Sequence, residues 1–205
     1  MTTREYSALV STILVIVGTL WYIYLIVIDE KVKPVIGSWI INCGAAVLSL
    51  FTYLTTPDHS LVSNATNTIS VLTISSILAF AWVYGRKRGG KIVFNPFQKR
   101  SLFCSLVITI LWVVIVWGYH GTGILPNILT QIMMLVGYAV TAERLFLAEK
   151  NTEPLFTWWC ILIASLVGLL TGIVSNNMLA ILFTSRTFLG TAVLLSLMHR
   201  LERKS

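Results

Sequence analysis

The side chain with the most chemistry to explain is Arg186, which falls within the otherwise uncharged run Ile181–Gly190. A guanidinium carries a fork of donors and is always charged, so it recognises anions and carbonyl oxygens. In hydrocarbon such a charge is expensive and faces a cavity or a partner. Arg186 therefore either binds an anionic or carbonyl-bearing solute, or bonds helix carbonyls and Ser/Thr hydroxyls and locks the chain around itself. Glu143 is the nearest acidic candidate, and it lies near the end of its own apolar run. Trp39 and Asn42 are three residues apart and share a helical face. Gln131 and Tyr138 are two helical turns apart on another face, which Asn127 and Thr130 extend, and Asn67 sits in a third run. A polar stripe of this kind lines a water-filled path or hydrogen-bonds a neighbouring helix. Trp39 and Trp159, both near helix starts, either stack on a solute or anchor at a membrane interface.

Other chemistries find no support. Cys43, Cys104 and Cys160 all lie in apolar runs without metal-ligand spacing, and His59, His120 and His199 are scattered. No paired carboxylates, His-Glu cluster or Ser-His arrangement stands at matched depth, and no phosphate-binding Gly-x-x-x-x-Gly-Lys-Ser/Thr stretch exists. The expectation is a chain that is not an enzyme and needs neither metal nor cofactor.

The elements that position these residues follow from composition. Of 205 residues 56% are hydrophobic and 11% charged, where soluble domains carry about a quarter charged. One soluble core could not hide that much apolar surface, so the solvent is lipid. A net charge of +7 would fit a nucleic-acid partner, but the charges sit between apolar runs and argue against one. Seven runs are long enough for a hydrocarbon core of about 30 Å: Tyr6–Ile28, Val35–Thr55, Thr66–Tyr84, Ser101–Tyr119, Ile124–Phe146, Leu155–Ile173 and Met178–Met198. The third is unusually polar, with Asn67, Thr68, Ser70, Thr73, Ser75 and Ser76. The first is too long and aromatic for a cleaved signal peptide.

Basic residues mark the cytoplasmic side. The loop with Arg86, Lys87, Arg88, Lys91, Lys99 and Arg100 belongs there, together with the Lys31/Lys33 and Arg144/Lys150 loops and the tail with Arg200, Arg203 and Lys204. Outside the spans Arg4 alone falls on the opposite side, whose loops Thr56–Ala65, His120–Gly123 and Ser175–Asn177 hold no Lys or Arg. This places the N-terminus outside and the C-terminus inside. Asn64-Ala65-Thr66 matches a glycosylation acceptor but lies too close to the membrane to serve as one. The basic clusters could also hold anionic lipid headgroups.

A faint repeat runs through the chain. Val17-Gly18, Glu30-Lys31, Pro34 and Trp39 are matched by Val136-Gly137, Glu149-Lys150, Pro154 and Trp159. The glycine-to-glutamate distance is twelve residues in both copies and the proline-to-tryptophan distance five, with the loop between differing by one residue. Ser63-Asn64 and Ser175-Asn176 open the next segments. Helices one and five run the same way, so the copies are parallel, and a single linker helix is needed between them. The expected organisation is a three-helix repeat at 1–84, a basic loop plus linker helix at 85–119, and a second three-helix repeat at 120–205.

This three-plus-one-plus-three layout resembles the SWEET, PQ-loop and PnuC-like membrane transporters over the whole chain. At the level of motifs only Pro126 and Gln131 faintly resemble the Pro-Gln pair, and Lys33–Trp39 is similar to the second helix of small bacterial relatives. The resemblance implies a multi-pass protein of the bacterial cytoplasmic membrane that moves a small polar solute such as a sugar, nucleoside or vitamin. In that family paired aromatics and asparagines enclose the solute, which here would make Trp39, Trp159 and Asn42 site residues beside Arg186, Gln131, Tyr138 and Asn67. With no embedded carboxylate except Glu143, facilitated diffusion by alternating access is the expected mechanism. The competing reading is an accessory or receptor-like subunit that binds a partner through a lateral helix face. The direction in which Arg186 and the polar face of helix three point separates the two. A retinal protein is excluded by the absence of a lysine in the last span, and a G-protein-coupled receptor is disfavoured by the tiny loops and parallel repeat. The lipid bilayer and a small solute are the expected partners, and assembly as a homo-oligomer is left open.

Overall fold

A computed structural model describes residues 3–29, 32–55, 65–87, 93–118 and 124–204. His59, Asn64, His120, Lys31, Arg88 and Lys91 lie outside the described residues. Within them the chain is all helix: α1 Thr3–Ile28, α2 Ile36–Leu54, α3 Ala65–Lys87, α4 Pro96–Val113, α5 Ile124–Leu147, α6 Leu155–Val174 and α7 Met178–Glu202. One π-helical turn, Val114–Gly118, extends α4. Each of the seven is long and apolar enough to cross a membrane, and the protein is a multi-pass membrane protein. Runs rich in Val, Ile and Thr form helices here because lipid offers no partner for a backbone amide, and only a helix satisfies every one within its own segment.

Two boundaries lie four or five residues from those expected, the others within three. The fourth helix starts at Pro96 rather than Ser101: the Asn95 side chain accepts from Gln98 N at 2.7 Å, and Pro96 takes the first turn. Asn-Pro is a strong start signal, and the polar Gln98, Lys99 and Arg100 are helical although not apolar. The last helix continues to Glu202 rather than Met198. The polar third span is a helix throughout because its side chains are absorbed locally. Thr73 and Ser76 donate to carbonyls one turn back in α3, while Asn67 donates to Ser49 of α2.

Six helices close into a ring in the packing order α1, α3, α2, α5, α7, α6 and back to α1. Helix α4 stands outside it against α5 and α2, pinned where Trp112 Nε1 donates to Thr52 Oγ1 at 2.8 Å. Two seams join the α1–α3 side of the ring to the α5–α7 side, one between α1 and α6 and one between α2 and α5. Each is built on a glycine. Thr157 of α6 donates to the Gly18 carbonyl at 2.8 Å, and Ser38 of α2 donates to the Gly137 carbonyl at 2.7 Å. A Cβ on Gly18 would stand 3.0 Å from Cys160 Cβ and 3.3 Å from the Thr157 carbonyl oxygen, so only glycine lets these backbones approach so closely.

One buried cluster, including Tyr22, Trp39, Trp158, Leu194 and Met198, fills the end of the ring that carries the α1–α2 and α5–α6 loops. A second, including Ala45, Ala46, Ile108, Met134 and Val140, fills the seam from α2 through α5 to α4.

Candidate functional site

Within the ring lies a partly open cavity of about 70 Å³ to which α1, α2, α3, α5, α6 and α7 all contribute lining residues. Arg186 of α7 is among them, 8% exposed. Its Nε donates to Gln131 Oε1 at 3.0 Å, and its guanidinium carbon lies 4.9 Å from the Phe183 ring centre and 5.7 Å from that of Tyr138. Nη2 is buried without a hydrogen-bond partner. Gln131 is oriented for this contact, since its Nε2 donates to Asn127 Oδ1 and Thr130 Oγ1, both at 3.3 Å. The polar stripe of α5 thus bonds to itself and to α7, and of that stripe only Tyr138 reaches the cavity wall.

Asn42 lines the same cavity from α2. Ser38 uses its proton on the Gly137 carbonyl, so its oxygen accepts from Thr141 Oγ1 at 2.8 Å and from Asn42 Nδ2 at 3.3 Å. That network fixes which way the Asn42 amide is turned. It leaves Asn42 Oδ1 buried and without a partner. Trp39, also on the wall, forms an aromatic layer with Tyr22 and Trp158, at ring-centre distances of 5.4 and 6.4 Å. Tyr138 meets Trp158 at 6.1 Å.

Of the residues singled out in the sequence, Arg186, Asn42, Trp39 and Tyr138 share the cavity, and Gln131 stands behind Arg186. Asn67 is buried but turned to Ser49, away from the cavity. Trp159 is not part of the group: it is 43% exposed and meets His199 edge-on at 6.0 Å. Trp158 holds the place expected of Trp159. A signal for it existed, because the interval from Gly18 to Gly137 is also that from Glu30 to Glu149, and the same interval carries Trp39 to Trp158. The proline-to-tryptophan spacing points one residue further along, to a position about 100° round the helix.

Beyond the aromatic layer, at the loop end of the ring, lies a second cluster. Glu153, 4% exposed, accepts from the Tyr22 hydroxyl at 2.6 Å and faces Arg144 Nη1 at 4.0 Å. Arg144 also donates to the Lys33 carbonyl and the Thr152 hydroxyl, and Lys33 N–H donates to the Thr152 carbonyl at 3.3 Å. These bonds tie the α1–α2 loop to the α5–α6 loop. Burial pushes the Glu153 carboxyl above the ordinary carboxylate range, while the Arg144 guanidinium and the Tyr22 and Trp158 side chains pull it back down. Glu143, the acidic candidate from the sequence, meets Asn95 at 3.4 Å instead of Arg186. Among the described residues no group of His, Cys, Asp and Glu is placed to hold a metal ion. No family model, curated protein or solved structure matches the chain.

Proposed function

We propose that this protein carries a small polar solute across the membrane by alternating access, with the central cavity as its binding site. The observation that supports this reading best is the cavity itself. It lies at the centre of the helix ring, is walled from both sides of the two seams, and has Arg186 turned inward with an unused donor. A subunit that binds a partner laterally would present that charge outward instead.

The moving units are two parallel three-helix repeats, α1–α3 and α5–α7, with α4 as the linker. Exchanging α1 with α5, α2 with α6 and α3 with α7 maps the ring's packing order onto itself. The two hydroxyl-to-glycine bonds exchange with each other in the same operation. Two such units rocking about their seams open a central site first to one side and then to the other. By the distribution of Lys and Arg the loop end is cytoplasmic, so the Arg144–Glu153–Tyr22 cluster and the aromatic layer form the inner gate, shut in this conformation. No carboxylate stands among the described cavity-lining residues, which favours facilitated diffusion over proton coupling at the site.

Thermal unfolding of the purified protein against sugars, nucleosides, vitamins, amino acids and small organic anions tests the reading. A ligand at a hundred times its dissociation constant adds about 2.7 kcal/mol to stability. The expected result is a shift for one solute class that shrinks in Asn42→Ala and disappears in Arg186→Met. A panel with no shift for any class would defeat the transporter reading and favour the accessory subunit.

A further inference from the structure

The cavity's chemistry narrows the solute to one class, on the premise that the cavity is a solute site. Arg186 is a full positive charge at the centre of a membrane protein. Its surroundings are neutral: the Gln131 amide, the Phe183 ring, and the ring and hydroxyl of Tyr138. No Asp or Glu lines the cavity among the described residues, and Nη2 has no partner. Removing such a charge from water without a counter-charge costs several kcal/mol. Ring faces, one amide oxygen and one hydroxyl return only part of that. A helix-locking arginine would spend its donors on carbonyls or a carboxylate, whereas here one donor remains at the cavity.

We propose that the cavity binds a small monocarboxylate that carries a hydroxyl group. The carboxylate meets Arg186 Nη2 and the hydroxyl donates to Asn42 Oδ1.

Each part of the assignment has its own reason. The ligand is an anion because the wall supplies one cation and no compensating carboxylate. It is monovalent because Arg186 is the only Lys, Arg or His among the described lining residues, and a sulfate or phosphate dianion would bring in more charge than the site neutralises. The second group is a neutral donor because Asn42 Oδ1 accepts only, its amide nitrogen being held by Ser38. It is a hydroxyl rather than an ammonium because an ammonium needs an anion on the wall, so amino acids are excluded. The carbon body is short. About 70 Å³ of space is far below the roughly 300 Å³ at which ordinary ligand pockets begin, and the Trp39, Trp158 and Tyr138 side chains on the wall suit a few methylene or methyl groups.

Calorimetric titration and thermal unfolding at matched ionic strength, with defined probes, decide the matter. The probes are lactate and glycolate, propionate and acetate as carboxylates without the hydroxyl, lactamide and glycerol as neutral counterparts, and chloride and sulfate. Lactate or glycolate is expected to bind tightest and propionate about tenfold more weakly, the worth of one hydrogen bond. The neutral pair is expected not to bind. Arg186→Met abolishes binding, Arg186→Lys retains part of it, and Asn42→Ala brings lactate down to the level of propionate. Should Arg186→Met not fold, Asn42→Ala carries the test alone. Binding of lactamide or glycerol with the carboxylates silent overturns the anion assignment and leaves the cavity reading standing. A shift with chloride alone overturns the carboxylate. Silence from all these probes, with a shift from a sugar or nucleoside, overturns the class but not the site, and silence from every solute overturns both.

Discussion

Arg144 and Arg186 show what separates a lock from a binding site. Arg144 stands at the loop end with Glu153 as counter-charge, the Lys33 carbonyl and Thr152 hydroxyl as further acceptors, and partial access to water. Arg186 lines the cavity inside the ring with the Gln131 amide and the Tyr138 hydroxyl as neutral acceptors, two ring faces and an empty donor. The first arrangement is balanced in charge, although Glu153 Oε1 makes no hydrogen bond, and it holds two loops together. The second is incomplete, and under the proposed function its unused donor is left for the solute. A charge balanced by a counter-charge within the fold is structural, and one left unbalanced beside a cavity points to a ligand.

Removing the counter-charge of the lock gives the largest effect. Glu153→Ala leaves the buried Tyr22 hydroxyl without an acceptor and Arg144 without its carboxylate. The expected cost is about 2–4 kcal/mol by denaturant unfolding in detergent, below the full price of a buried pair because Arg144 is a quarter exposed and keeps two acceptors. A cost under about 0.5 kcal/mol would make the lock incidental.

Next come the two seam glycines, which look alike in sequence but differ in what an added methyl meets. Gly18→Ala presses on the Thr157 backbone oxygen and Cys160 Cβ, so α1 and α6 must separate, at about 1–3 kcal/mol. Gly137→Ala meets only the end of the Asn42 side chain, as close as 2.4 Å, which can swing aside. It is expected to leave stability nearly unchanged while weakening solute binding as Asn42→Ala does. Equal stability losses in the two variants would mean that Asn42 is fixed by more than Ser38.

The lock also responds to pH. Because burial raises the Glu153 carboxyl above its unfolded value, its stabilising contribution is fully present below the ordinary carboxylate range and is lost as pH rises through the raised folded value. Unfolding followed across that window is expected to show falling stability with rising pH, and Glu153→Gln is expected to flatten the profile. A rise in stability over the same window would reverse the sign of the shift.

The smallest stability effect belongs to Arg186. In the absence of solute, Arg186→Met removes an uncompensated charge and is expected to be neutral or stabilising by about 1 kcal/mol. A loss as large as that of Glu153→Ala would make the two arginines equivalent and Arg186 structural.

The seven spans were legible because lipid dictates them: an apolar run of about twenty residues has one way to satisfy its backbone. Arg186 was legible for the same reason, as a charge with nowhere cheap to go. The start of α4 was hidden because Gln98, Lys99 and Arg100 are polar, and hydropathy cannot see a helix end in the headgroup region, although Asn95-Pro96 marked it. Trp158 and Trp159 are not separable in the sequence, because adjacent positions on a helix differ by about 100° and only packing reveals which one faces in. Glu153 could not be read at all, since nothing local distinguishes a loop carboxylate in water from one that Tyr22, Trp158 and Arg144 will bury. The partnership of Gln131 with Arg186 was equally invisible, because each is polar for reasons that only the other explains.

The central claim, a midplane cavity reached from alternate sides, is tested most directly by labelling. With Cys43, Cys104 and Cys160 replaced by Ala, a cysteine placed at Thr187 on the cavity wall is exposed to a membrane-impermeant maleimide from one face at a time in oriented proteoliposomes. The account predicts labelling from both faces, with the cytoplasmic rate raised when Glu153→Ala opens the lock. Labelling from one face only, unchanged by Glu153→Ala, would contradict it.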